Sequence, residues 1–406
     1  MREAPIPIQS LSLLKEINSQ YYEEVRHAQE LGKKIVYVNV FSPAELFYAM
    51  DIIPVYPENH AVFLQARKMT GEVTRFSEAE GYSPNICSYA FCDIGSVYSG
   101  ISPVGGLPKP DFLYTSSCQC GTLTKWFEVL SRHYQVPLYL LDVPFSGKRE
   151  FDNFAYDYVE QQMEELVVFL ERIMGKRLDH DRLKEILRIS EDTCGYWKEI
   201  LNSAAQVPSP LTVFDQFVAM APIVSQRGCP VALDFYKTLK SEIDERVRYK
   251  IGAVPVERFR LYWDNLPIWR ELKWLSDLLA SFGACLTATI YTLPWTSLDV
   301  DPENPLESWT NQYLVYFDWH LERRIKLILE LKEKFFLNGF IYHSNRSCKM
   351  LSLVVQEIKK AVTEATGIPG LVLDADHGDP RFYSLDQIRH RLEIYFDTLS
   401  HLQPAE

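Results

Sequence analysis

The chain has 406 residues, with 42 Lys and Arg against 54 Asp and Glu, so its formal net charge is −12. This composition, 47% hydrophobic and 24% charged, is that of a globular protein of two or three domains, and it offers no basic block for nucleic-acid phosphates. No apolar run approaches the roughly 20 residues of a membrane-spanning helix.

The opening residues, MREAPIPIQS, lack the apolar stretch of a secretory signal, so a cytoplasmic location is expected. There, eight cysteines read as metal ligands, nucleophiles or core residues in preference to disulfides.

Residues 9–31 repeat apolar positions at helical spacing and stop at Gly32, which predicts an opening helix. KKIVYVNV at 33–40 predicts a buried strand, SPAELFYAMD a helix with Pro43 in its first turn, and Ile52–Tyr56 a second strand. A loop is expected over Pro57–His60, then a helical stretch over 62–80. PDFLYTSS, CGTLTKWFEVLSRHY and VPLYLLDVP read as strand, helix and strand, a β-α-β unit that requires parallel pairing. Residues 151–206 read as helical, PSPLTVFDQF follows a proline-marked break, and GCP at 228–230 is a loop. Strands return in RFRLYWDN, ACLTATIYT, LNGFIYHSN and GLVLDADHGDP, between helices at 306–335, 350–366 and 385–402.

The expected class is α/β: two Rossmann- or flavodoxin-like parallel-sheet domains with an N-terminal helix and a helical middle. The divisions fall at 1–32, 33–150, 151–250 and 251–406.

Open α/β sheets collect ligands at the carboxyl ends of their strands. Cys118 and Cys120 follow the strand PDFLYTSS, Cys348 follows GFIY, and Cys87 precedes a segment of helical character. A helix start favours the thiolate form that metals require. Cys194 and Cys285 read as core. The spacings suit neither a zinc ribbon nor a ferredoxin run, so the residues themselves lead to a thiolate metal site between two α/β domains, with plain burial as the competing reading.

Seven stretches carry a resemblance. They are AMDIIPVYPENH, ICSYAFCDIG, GGLPKPDFLYTSSCQCGTLTKWFE, PLYLLDVPF, RLYWDNLPIW, HSNRSCK and LVLDADHGDPR, in order along most of the chain. In these the sequence resembles the benzoyl-CoA reductase / 2-hydroxyacyl-CoA dehydratase family. The resemblance implies a [4Fe–4S] cluster held by Cys87, Cys120 and Cys348 between two α/β domains. It also implies one-electron reduction of a CoA thioester, fed by a separate ATP-hydrolysing activator, and a paralogous second subunit. No GxxxxGK[ST] loop occurs in this chain.

Cys92, Cys118 and Cys229 stand where other residue types are usual for that family. Six thiols would suit the family's double-cubane branch, whose [8Fe–9S] proteins resemble homodimeric reductases of small molecules. A non-catalytic electron relay is the third reading.

Glu58, His60 and Ser42 are the candidate catalytic residues, although Ser42 also fits a helix cap. His343 and Arg346 flank Cys348 and are candidates to meet cluster sulfur or a CoA phosphate, for which Lys109, Lys125 and Arg227 are also available. DADHGDP reads as a turn, and Trp263, Trp269, Trp295 and Trp309 as core or interface.

Overall fold

A computed structural model describes residues 5–145, 151–296, 300–316 and 320–402. One parallel sheet contains β1 (Lys34–Val38), β2 (Ile52–Val55), β3 (Phe112–Ser116) and β4 (Leu138–Leu141), in the order β2-β1-β3-β4. A second contains β5 (Phe259–Asp264), β6 (Ala284–Thr289), β7 (Gly339–Asn345) and β8 (Gly370–Ala375), in the order β6-β5-β7-β8. The second order repeats the first, strand for strand. β2, β3, β5 and β6 are buried along their whole length, as strands covered by helices on both faces must be. Trp263, Trp269, Trp295 and Trp309 are all buried, as expected.

The helical middle consists chiefly of Asn153–Met174, His180–Ser203 and Pro230–Arg248. Asp152 and Asp179 cap the first two by accepting backbone N–H bonds from Ala155 and Arg182. Gly175, at φ +65°, ends the first and divides the stretch expected over 151–206. Arg227 ties this region to the first sheet: its Nε donates to Glu45 at 2.8 Å and its Nη2 to the Ser42 carbonyl at 2.5 Å. Among the described residues no helix is long and apolar enough to cross a membrane.

Several boundaries differ from the sequence reading. Pro57–His60 is not a loop but the first turn of the Pro57–Ala66 helix, because Pro57 occupies the first helical position with its φ already set. The stretch at 62–80 breaks at Lys68, φ +63°, and resumes as Thr70–Ala79. The stretch at 306–335 resolves into Pro305–Asn311, a π-turn at Gln312–Tyr316 and Leu321–Lys334; residues 317–319 lie outside the described residues.

The turn after β8 joins the two halves. Asp376 Oδ1 accepts from the backbone N–H groups of Gly378 and Asp379, both at 2.8 Å, and from the Ser88 hydroxyl at 2.7 Å. Thr70 donates to the Gly378 carbonyl at 2.9 Å. After Asp374 and Ala375 end β8, the rest of DADHGDP is thus a turn, as expected, and it bonds to the Thr70–Ala79 and Ser88–Ser99 helices on either side of Cys87.

The Ser88–Ser99 helix is pinned just as closely. A Cβ at Gly95 would stand 2.2 Å from the Val73 carbonyl oxygen, a backbone atom that cannot swing aside. Gly95→Ala should therefore lower the unfolding free energy by about 1–3 kcal/mol, the usual range for an overpacked core. A urea midpoint unchanged from wild type would mean that the two helices are free to move apart.

Candidate active site

In both sheets the strand order reverses between the first and third strands of the set, and the crevice for a ligand opens beyond their carboxyl ends. The two crevices face each other. Val40 and Phe41 follow β1, Gln119 and Cys120 follow β3, Leu266 follows β5, and Cys348 follows β7; all six line one cavity of about 120 Å³. Glu58 arrives after β2, Cys87 from the crossover between β2 and β3, and Tyr291 and Trp295 after β6.

Cys87, Cys120 and Cys348 each occupy the N-cap of a helix: Ser88–Ser99, Gly121–Tyr134 and Lys349–Ser352. Backbone N–H groups of the first turn lie near each sulfur and favour its thiolate, those of Tyr89 and Ala90 at Cys87, Thr122 and Leu123 at Cys120, and Leu351 at Cys348, although no cap hydrogen bond closes. Burial outweighs them and pushes all three thiols up, Cys348 to about 11, and the thiols disfavour one another's ionisation. They are therefore close enough to interact, and protonated unless a cation replaces the protons.

Among the described residues no three His, Cys, Asp or Glu groups gather tightly enough to hold a single metal ion. The thiols surround a space instead of a point. Soft sulfur donors, N–H groups near them and apolar walls form a donor set suited to an iron–sulfur cluster.

Glu58 is the one carboxyl lining the cavity among the described residues. Burial raises its pKa to about 7, against the pull of the Val40 N–H at 2.9 Å and the Gln119 amide at 2.7 Å. Asn39 orients Gln119 by donating to its Oε1 at 3.0 Å. The sequence reading passes over Gln119, although its position between two cysteines at a strand end is a usable signal.

Other expectations need correction. His60 does not line the cavity; its ring nitrogens meet Asp93 at 3.0 Å and Ser102 at 2.9 Å, while Asp93 also accepts from Trp126. It braces the wall from behind. Ser42 neither lines the cavity nor caps a helix: Pro43 is the N-cap of Ala44–Ala49, and no side chain bonds to the open N–H groups there. His343 is buried and bonds the Leu266 carbonyl at 2.6 Å, and Arg346 stacks on Phe382 at 3.5 Å and donates to Asn85. Arg227 is buried against Glu45, which removes it from any phosphate.

Cys92, Cys118 and Cys229 stay outside the cavity. Cys92 is buried beside Gln65, Cys118 lies 3.1 Å from the Ser116 hydroxyl, and Cys229 caps Pro230–Arg248 beside Tyr48; burial pushes each to about 12. Cys194 and Cys285 are buried core residues, as expected.

The family profile described as "2-hydroxyglutaryl-CoA dehydratase, D-component" matches residues 39–399. The chain belongs to this family. It is 30% identical over 384 residues to the (R)-2-hydroxyisocaproyl-CoA dehydratase alpha subunit of Clostridioides difficile, covering 94% of each chain. It is 29% identical to a benzoyl-CoA reductase subunit of Thauera aromatica, over 94% of this chain and 92% of that one. With the (R)-2-hydroxyglutaryl-CoA dehydratase alpha subunit of Acidaminococcus fermentans it shares 23% identity, over 94% of each.

The buried Glu58 has a measurable signature. Its native pKa lies above the ordinary 4.5, so between about pH 4.5 and 7 the folded protein holds a proton that the unfolded chain releases. Stability is lost through that window as pH rises. Glu58→Gln lacks this proton, so its unfolding free energy should gain about 3 kcal/mol on wild type from pH 4.5 to 7. Urea unfolding at fixed pH steps reads the difference; parallel profiles would return Glu58 to the ordinary carboxylate range.

Proposed function

We propose that this chain is the iron–sulfur subunit of a CoA-ester dehydratase or reductase that works with a separate ATP-hydrolysing activator and a second subunit. The convergence of Cys87, Cys120 and Cys348 on one apolar cavity, from both halves of the fold, carries the reading. Family membership and the subunit names of the relatives support it. When bound, a [4Fe–4S] cluster supplies one-electron reduction at low potential.

The residues of this chain do the rest. The three cysteines hold the cluster, and the N–H groups at their helix starts offset negative charge on sulfur. Phe41, Leu123, Trp126, Leu266, Pro294 and Trp295 keep water from the cavity and lower its dielectric constant. Glu58, with a pKa of about 7, exchanges a proton with a bound thioester at neutral pH. The position of Cys92, Cys118 and Cys229 away from the cavity favours a single three-thiol cluster over the double cubane.

Iron and acid-labile sulfide, measured on protein purified without oxygen, should give about four of each per chain. Cys120→Ala and Cys348→Ala should each lose most of the iron while retaining the circular dichroism of wild type. Full iron retention in both variants would overturn the ligand assignment, and about eight irons per chain would return the other three thiols to the site.

A further inference from the structure

The helix that carries Cys348, Lys349–Ser352, buries none of its own residues, so neighbouring elements have to hold it. Two side chains do so. Asn265, at φ +75° just past β5, donates to the Ser352 hydroxyl at 2.8 Å and to the His343 carbonyl at 2.9 Å. Ser352 in turn donates to the Asn345 carbonyl at 2.9 Å. The second brace is charged. Arg324, in the Leu321–Lys334 helix, donates through Nη1 to the Leu351 carbonyl at 3.2 Å and through Nη2 to Asp264 at 3.0 Å.

Both members of that ion pair are buried, 3% and 0% exposed, and Asp264 also accepts from the Tyr262 hydroxyl at 2.7 Å. Taking two charges out of water costs a desolvation that their attraction only roughly offsets, so stability alone does not account for the pair. An ammonium would match the charge of Arg324 but not its planar fork, which aims one N–H at a carboxylate and another at a carbonyl. The arrangement fixes a positive charge beside the helix whose Cys348 and Leu351 line the cavity. That charge favours the Cys348 thiolate, as the Leu351 N–H does, while Asp376 opposes it. Away from water and salt it is weakly screened, so its influence extends beyond the groups it touches.

We propose that Arg324 is a positioning residue for electron uptake: it holds the Cys348 helix and, through its charge, raises the reduction potential of the cluster, with Asp264 fixing the guanidinium and tempering its effect. The step adds one electron, supplied by the activator, and a nearby cation lowers the energy of the more negative product. This inference rests on the iron–sulfur reading above.

The test is a redox titration, without oxygen, of the iron-loaded full chain together with any partner that accompanies it. A titanium(III) reductant supplies the electrons, and electron paramagnetic resonance follows the cluster. The substitutions are made in this chain only, so a centre in the partner serves as an internal reference. Arg324→Gln should make reduction about tenfold less favourable, a midpoint ~59 mV more negative, and Asp264→Asn should move it the opposite way by a similar amount. Arg324→Lys, which keeps the charge, should fall between Arg324→Gln and wild type. Iron content and circular dichroism should match wild type in all three.

Midpoints unchanged in Arg324→Gln and Asp264→Asn, or displaced in the same direction, would overturn the inference while leaving the cluster reading intact. So would an Arg324→Lys midpoint displaced as far as that of Arg324→Gln, because charge would then not be the cause. If Arg324→Gln sheds its iron, Asp264→Asn decides: a less negative midpoint supports the inference, and an unchanged one overturns it. Loss of iron from Asp264→Asn as well would make the pair a structural brace only, which also overturns it. Wild-type protein without iron would defeat the cluster reading itself, and this inference with it.

Discussion

The bond from Ser88 to Asp376 is the contact on which the site depends. Ser88 is the residue after Cys87, and Asp376 lies in the turn that leaves β8, so one hydrogen bond links the first thiol's helix to the second sheet. It is reinforced from the other side, where the Ser347 hydroxyl, next to Cys348, lies 3.3 Å from the Ser88 hydroxyl and 3.2 Å from His377. His377 is buried, with its pKa lowered to about 4, so it stays neutral and adds no charge to the joint. Two domains that touched only through apolar faces would be able to slide. This polar joint fixes the relative position of Cys87 and Cys348.

Desolvation sets the chemistry inside that frame. The same low-polarity surroundings that push the thiols up also bring Glu58 to about 7, and they make any uncompensated charge costly. The protonated thiols and the raised Glu58 carboxyl thus follow from one physical cause. The aromatic wall at Phe41, Tyr291 and Trp295 both shapes the space and maintains the low polarity.

Much of this was legible in the sequence. The β-branched runs marked most of the strands, and the β-α-β pattern from Asp111 to Pro144 required parallel pairing. Cys120 and Cys348 stood out because strand end and helix start can both be read from local residues. Residues whose role depends on the opposite domain were not legible. Leu266, Tyr291 and Trp295 look like any other apolar residues until the two sheets face each other. His60 and Ser42 misled for the converse reason: their chemistry is suitable, but the fold turns it to a buried pair with Asp93 in one case and away from the cavity in the other. Glu58 was recognised for its chemistry but placed in a loop, because PENH resembles a turn until Pro57 is read as the first residue of a helix.

The repeated strand order has a consequence for biosynthesis. The first sheet contributes two of the three cavity thiols, and the second contributes one, with the whole helical middle between them in the chain. β7, which leads to Cys348, is an inner strand that pairs with both β5 and β8. A ribosome that has released only the first half of the protein has made two thiols and no third. The trio is complete only when the last sheet has closed around its inner strand, so the cluster proposed above would enter the finished chain and not the emerging one.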